Sequence, residues 1–278
     1  MTPGARVSAA IEILDDHFLG KSENKLLLNW FRGNRFAGSK DRLAIRDLVF
    51  NCLRYKLSCY WPFQQAGLSL TGRLLVLGFL KFSGQQFDRV FDSQKYSPKQ
   101  LSIFEKNIIE TFDETLNSAP TFVKLNFPKF LEDLLKDSFG EGFYTCLSSL
   151  GSQANLFIRI NLIKGEINSV ISSLREEQIE VERLAQFKNS LKIVKNKQKI
   201  NKSKVYLSGK IEIQDINSQA VVEFIDVKQN TKILDFCAGG GGKTLAMASL
   251  ISGQAEFFAY DANTSKLSNL IMRCKRAG

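Results

Sequence analysis

The sequence predicts a chain of more than one domain, helical at first and α/β toward its end. Three observations carry that. Apolar residues recur at helical spacing early on, as in Ala9, Ala10, Ile13, Leu14 and Phe18, and again in Ala44, Ile45, Leu48, Val49, Cys52 and Leu53. Pro120 and Pro128 bracket a change of character. From Lys232 onward, short apolar runs alternate with helical patterns, the order that builds a doubly wound parallel sheet. We divide the chain into a helical domain over residues 1–116, a helical linker with a small α+β subdomain over 117–208, and the first half of such a sheet over 209–278.

Composition narrows the function classes. With 278 residues, 44% of them hydrophobic, the chain is long enough for two or more cores. Its longest apolar run, residues 74–80, is far short of the roughly 20 residues that cross a bilayer. Glu12, Asp15 and Asp16 break any signal-peptide pattern. Five cysteines, an odd number without close pairs, point to a reducing cytoplasm with neither disulfides nor structural zinc. A net charge of +10 points to a polyanion. Nucleic acid fits better than a membrane surface, because no basic amphipathic helix with a bulky apolar face stands out. A monomer is expected.

In the helical domain, Ser39 or Asp41 is placed to cap the second periodic stretch. Its exposed side carries Arg42, Arg46 and Arg54, following Arg32, Arg35 and Lys40. That cluster is either a solvated face or a surface for RNA phosphates. Trp30, Trp61 and Phe63 read as core, and His17 has no triad or metal partner. Residues 130–139 and 143–150 read as helices, 155–162 as a strand, 166–175 as a helix and 179–184 as a second strand. Between residues 188 and 204 stand seven lysines and no acid, the pattern of a mobile charged hairpin or of an RNA backbone contact.

The chemistry concentrates near the end. Lys232, Ile233, Leu234, Asp235 and Phe236 read as a buried strand, and Cys237-Ala238-Gly239-Gly240-Gly241-Gly242-Lys243-Thr244 as a loop entering a helix over 245–251. A second apolar run, 256–260, closes on Asp261, and Leu267, Leu270, Ile271 and Cys274 share one face of a final helix. Four successive glycines let the backbone approach a ligand and turn sharply. Asp261, at the end of the second strand, is placed to accept hydrogen bonds from ribose hydroxyls. Three ligands compete for this loop. A Walker loop needs a glycine where Cys237 stands, and the dinucleotide fingerprint lacks its last glycine in every register. S-adenosylmethionine has no pyrophosphate and asks less of the loop. A ligand-free turn is the remaining reading.

The segment from Leu234 to Thr244 resembles the Leu-Asp-x-Cys-Ala-Ala-Pro-Gly-Gly-Lys-Thr loop of the NOP/Sun family of RNA cytosine-5 methyltransferases, with Gly239-Gly240 in place of Ala-Pro. Gly209-x-x-x-x-Gln214-Asp215-x-x-Ser218-Gln219 is similar to the motif before that family's catalytic domain, and Arg159-x-Asn161-x-x-Lys164 to its Arg-x-Asn strand. Asp261 and Arg276-Ala277-Gly278 resemble its second-strand acid and the end of its next helix. The N-terminal region, with Gly38-Ser39-Lys40-Asp41-Arg42, looks like the helical NusB-like domain of the bacterial 16S rRNA members. The resemblance implies a Rossmann-like methyltransferase sheet, an RRM-like subdomain before it, and ribosomal RNA as substrate. It also implies S-adenosylmethionine held by Cys237, Ala238, Gly239, Gly240, Gly241, Gly242, Lys243 and Asp261, with Asp235 shaping the loop. Such enzymes add a cysteine thiolate to carbon 6 of cytosine, which makes carbon 5 nucleophilic. None of Cys52, Cys59, Cys146, Cys237 or Cys274 matches the family's nucleophile motif, so no catalytic residue is assigned. The expectation is a C-terminally truncated member, inactive alone, with a non-catalytic RNA-binding role as the alternative.

Overall fold

Where two helices must touch backbone to backbone, a side chain cannot intervene, and Gly78 marks such a crossing. A Cβ there would lie 2.0 Å from the carbonyl oxygen of Cys59. The computed structural model describes residues 1–278, which divide into two compact units, Met1–Gln153 and Ala154–Gly278. No helix is long and apolar enough to cross a membrane.

The first unit is helical. Helix α1 (Pro3–Phe18) starts on Thr2, whose hydroxyl accepts the Ala5 N–H, with Pro3 at the first position. It is followed by α2 (Glu23–Gly33), α3 (Ser39–Arg54), α4 (Lys56–Gln65) and α5 (Gly72–Phe82). The uniformly apolar run of α5 makes it the central helix, with every residue from Leu74 to Leu80 buried. Around it pack Ile13, Leu14, Ile45, Phe63 and Phe112. Five short helices complete the unit: α6 (Ile103–Glu110), α7 (Phe112–Asn117), α8 (Thr121–Lys124), α9 (Glu132–Phe139) and α10 (Phe143–Leu150). The turn after α8 is tied to α4 by Ser58, which donates to the Val123 carbonyl at 2.8 Å and accepts from Asn126 at 2.7 Å. Residues 121–150 therefore belong to the helical unit, where the sequence groups them with the small α+β subdomain.

The cap of α3 is Gly38, and Asp41 sits one turn in. Its carboxylate accepts the Gly38 N–H at 3.1 Å and pairs with Arg6 at 2.8 Å and with the amino group of Met1 at 3.3 Å. Those partners, Arg6 first, hold its pKa below the ordinary carboxylate range. The basic cluster is not uniformly outward. Arg32, Arg35, Lys40 and Arg46 are exposed. Arg42 instead folds back, donating to the carbonyls of Ala37 at 2.8 Å and Phe31 at 3.4 Å and lying over the Phe31 ring. Arg54 is half-buried and donates to Asn51.

The second unit opens with β1 (Leu156–Ile160), α11 (Ile167–Glu176), β2 (Glu180–Leu184), β3 (Phe187–Lys195), α12 (Lys204–Leu207) and β4 (Ile211–Ile213). These strands form an antiparallel sheet ordered β2-β3-β1-β4, a split β-α-β arrangement. Val170 and Leu174 of α11 pack against Ile158, Ile160, Leu191, Ile193 and Ile211. The lysine-rich stretch is thus not a mobile hairpin at its start: β3 buries Leu191 and Ile193, while Lys192 and Lys195 pair outward with Glu182 and Glu180.

After α13 (Ile216–Glu223) come β5 (Lys232–Asp235), α14 (Gly242–Leu250), β6 (Glu256–Ala259) and α15 (Ser265–Ala277). Strands β5 and β6 are parallel, with Ile233 opposite Phe257. Their inward residues meet Val222, Ala246 and Met247 of α13 and α14. Leu234, Phe236, Phe258 and Tyr260 remain exposed on the other face, so the apolar strands are covered on one side only. On α15 the buried positions are Leu270 and Ala277, and Ile271 and Cys274 are exposed; the helix turns a narrower face inward than its periodicity predicts.

Arg42 and Arg46 separate structural from surface charge. Arg42→Glu is expected to destabilise the helical unit by about 1–3 kcal/mol, because it leaves the Ala37 and Phe31 carbonyls without their donor. Arg46→Glu, beside Asp47 on the surface, shifts stability by less than about 0.5 kcal/mol. Urea unfolding followed by circular dichroism checks both.

Candidate cofactor site

The glycine loop is held open from three sides. From the strands, Ala238 N–H donates to the Tyr260 carbonyl and Tyr260 N–H to the Asp235 carbonyl, each at 2.9 Å, which carries the parallel pairing one step past β5. From the second strand's end, Asp261 reaches back: one carboxylate oxygen accepts the Gly239 N–H and the other the Asn263 N–H, both at 2.8 Å. From α15, Arg273 donates to the Gly240 carbonyl at 2.5 Å. Asp235, at the end of β5, accepts the Thr244 hydroxyl at 2.6 Å and so fixes the first turn of α14 against the strand.

Gly241 is the residue that the turn cannot replace. Its φ is +79°, in the left-handed region, and a Cβ would stand 2.0 Å from Leu270 Cδ1. Cys237 is exposed at the loop's entrance, beside Phe236, whose ring stacks on Tyr260 at 4.9 Å between centroids. Asp261 is 9% exposed. The Asn263 and Gly239 N–H groups, with Lys266 nearby, hold its pKa below the ordinary carboxylate range against the opposing effect of burial. The sequence-predicted residues Cys237 to Lys243 and Asp261 therefore stand together around one loop.

The upstream motifs converge on the same place. Asn161 donates from one amide nitrogen to the carbonyls of Gly209 and Ala277, each at 2.8 Å, and Lys164 donates to the Arg276 carbonyl at 2.7 Å. Both satisfy the C-terminal end of α15, where carbonyls lack helical partners. Asp215 caps α13, and Gln219 donates to the Gln214 carbonyl at 2.8 Å. Arg159, 7% exposed, donates to the Gln214 side-chain oxygen at 2.8 Å. Sequence reasoning missed Glu212. Only 2% of its side chain is exposed, yet its two oxygens take Arg276 at 2.6 Å and Arg273 at 2.9 Å. The signal for it was an acid between two isoleucines in a short strand, Ile211-Glu212-Ile213, and the last-turn arginines of a helix some 60 residues on.

A parallel strand, a side-chain-free turn into a helix, and an acid closing the next strand are also the parts found at the ligand-binding corner of doubly wound α/β folds; here they stand on a two-stranded parallel sheet. Residues 222–278 match the family described as 16S rRNA methyltransferase RsmB/F, in agreement with the resemblance read from the loop. The chain is 27% identical over 154 residues to the probable ribosomal RNA small subunit methyltransferase B of Synechocystis sp., covering 55% of this chain and 34% of the relative. It is 20% identical over 253 residues to the ribosomal RNA small subunit methyltransferase B of Yersinia pseudotuberculosis, covering 83% and 58%. It thus spans between about a third and under two thirds of the length of these relatives. In fold, it matches the crystal structure of PH0851 with a TM-score of 0.71 at 19% identity, over 100% of this chain and 68% of that one. It also matches a methyltransferase homolog protein from Pyrococcus horikoshii with a TM-score of 0.52 at 21% identity, covering 56% of this chain and 52% of that one.

Two outcomes test the loop. Gly241→Ala is expected to destabilise the second unit by at least about 1–3 kcal/mol, from backbone strain plus the Leu270 clash, as read by urea unfolding. The Asp261 contribution is complete at neutral pH and is lost as pH falls below the usual aspartate value of about 4, because the folded state favours the carboxylate. Hydrogen exchange of the Gly239 and Asn263 amides, corrected for intrinsic rates, should lose protection over that range, and Asp261→Asn should flatten the dependence.

Proposed function

We propose that residues 209–278 hold S-adenosylmethionine as part of an RNA cytosine-5 methyltransferase whose substrate is ribosomal RNA. The observation that carries this reading is the glycine loop closing onto Asp261. Gly239, Gly240, Gly241 and Gly242 offer a cradle of bare backbone, flanked by Cys237, Ala238 and Lys243. The lone pairs of Asp261 beyond its two N–H partners are available to ribose hydroxyls. The bound cofactor would supply an electrophilic methyl group. This chain's part is to orient it, with Asp235 and Thr244 fixing the helix that follows the loop.

No nucleophile is assigned. Cys52 and Cys59 are sealed in the helical core, where burial pushes both thiols up and keeps them protonated. Cys146 is half-buried, Cys237 belongs to the loop, and Cys274 lies outward on α15. We expect these 278 residues alone to transfer no methyl group. That same placement favours a second reading, a non-catalytic RNA-binding module. In both, residues 1–116 act as a NusB-like RNA-binding domain through Arg32, Arg35, Lys40 and Arg46, and the four-stranded sheet as an RRM-like subdomain. Both readings place the protein in the cytoplasm as a monomer.

Calorimetry separates them. The methyltransferase reading expects S-adenosylmethionine binding that Asp261→Ala weakens about tenfold or more; tight ATP binding with no response to S-adenosylmethionine overturns it. In either reading, RNA affinity should fall steeply with salt, and charge reversal at Arg32 and Arg35 should flatten that slope.

A further inference from the structure

Phe36 and Tyr96 are each 71% exposed, and both stand at the mouth of one cleft in the first unit. The cleft has a volume of about 660 Å³, within the roughly 300–1,000 Å³ of pockets that take small ligands. The buried Ala9 lies at its floor. Trp30, half-buried, lines a wall and meets Phe36 edge to face, 6.4 Å between centroids. Tyr96 is held at the mouth against its own backbone preference. Its φ is +71°, a region that bulky residues enter only where their surroundings impose it. The Ser97 side chain fills the place of a Cβ on Gly4, which seats the Tyr96 loop on the first turn of α1. Ser93 N–H donates to the Pro98 carbonyl at 3.1 Å and Ser97 N–H to the Gln94 carbonyl at 2.8 Å, closing the loop around Tyr96. Strain that leaves a ring in solvent does nothing for the fold and points to a ligand.

Charge selects that ligand. Arg35 precedes Phe36 and Lys95 precedes Tyr96, all four exposed, so each ring at the mouth stands beside a cation. The Lys95 ammonium lies 5.1 Å from the Tyr96 ring centroid. Arg32, Lys40 and Lys99 are exposed on the same two segments, and neither 30–40 nor 93–100 contains an acid. The carboxylate at the cleft is Glu12. One of its oxygens accepts the Trp30 indole N–H at 3.0 Å, and the other takes no protein donor. Rings for stacking, cations for phosphates and a fixed acceptor between them suit a single strand with one base inserted. A methylated ammonium would use the same rings and carboxylate, but these cations would repel it. We propose that the cleft binds an unpaired RNA base with an exocyclic amine, stacked on Phe36 and Tyr96, its amine donating to Glu12. The choice of RNA rests on the RNA-binding reading of residues 1–116 above, to which the cleft adds recognition of a base.

Fluorescence anisotropy of the full chain with octacytidylate and octauridylate tests this, because uracil offers a carbonyl where cytosine carries its amine. The expected preference for octacytidylate is about 3- to 10-fold. Glu12→Gln keeps an oxygen for Trp30 but turns a donor outward, and should level or reverse that preference. Phe36→Ala and Tyr96→Asn should each weaken binding about tenfold without changing its salt slope, since neither removes a charge. Asparagine tolerates a positive φ better than tyrosine, so Tyr96→Asn should also raise the melting temperature, the mark of a residue kept for binding rather than for the fold. Binding that ignores Phe36 and Tyr96 but falls on charge reversal at Arg32 and Arg35 would overturn the base site and keep the RNA reading. No binding of either oligonucleotide at low salt would overturn both. Equal binding of the two that still needs both rings would overturn the role of Glu12. Calorimetric binding of a trimethyllysine peptide, lost in Glu12→Gln, would overturn RNA as the occupant in favour of a cationic partner.

Discussion

A carboxylate taken out of water must be paired, and Glu212 is the one around which the second unit is assembled. Its desolvation is offset only if Arg273 and Arg276 both arrive, and both come from α15. The pairing therefore ties the edge strand of the four-stranded sheet to the last helix of the α/β segment. Arg273 then turns its remaining donor to Gly240, so the shape of the glycine loop depends on a charge buried in a different sheet. Arg276 adds a stacked contact, its guanidinium 4.1 Å above the ring of Tyr206. Removing Glu212 would leave two cations competing for carbonyls that already have donors.

The loop was legible in the sequence because its signals are local. Four glycines, an apolar run on each side, and an acid after the second run all fall within thirty residues, and each has one structural meaning. Helices α1, α3, α9 and α10 of the first unit were legible for the same reason. Features whose partners are remote read poorly. Arg42 looks like one more charge on an exposed face until Ala37 and Phe31 turn their carbonyls toward it. The lysines of β3 hide the alternation of Leu191 and Ile193, since lysine favours solvent in a loop and on a strand's outer face alike.

The motifs shared with the methyltransferase family divide accordingly. The glycine loop and Asp261 make up the candidate site itself. The Arg159-x-Asn161-x-x-Lys164 and Gly209-to-Gln219 segments instead brace the elements around it, through hydrogen bonds to helix ends and to each other. A motif can thus mark a site without lining it, and only the geometry distinguishes the two.

The reach of Asn161 has an entropic side. Its bond to Ala277 spans 116 residues of chain. Closing so long a loop costs more entropy than the nearer pairings of β1, β2 and β3 do. Without α15, Glu212 would be a solvated edge residue, and the four-stranded sheet could close around its own apolar core without burying a charge. One docking event, that of α15 on β4, therefore both removes the carboxylate from water and supplies its two arginines.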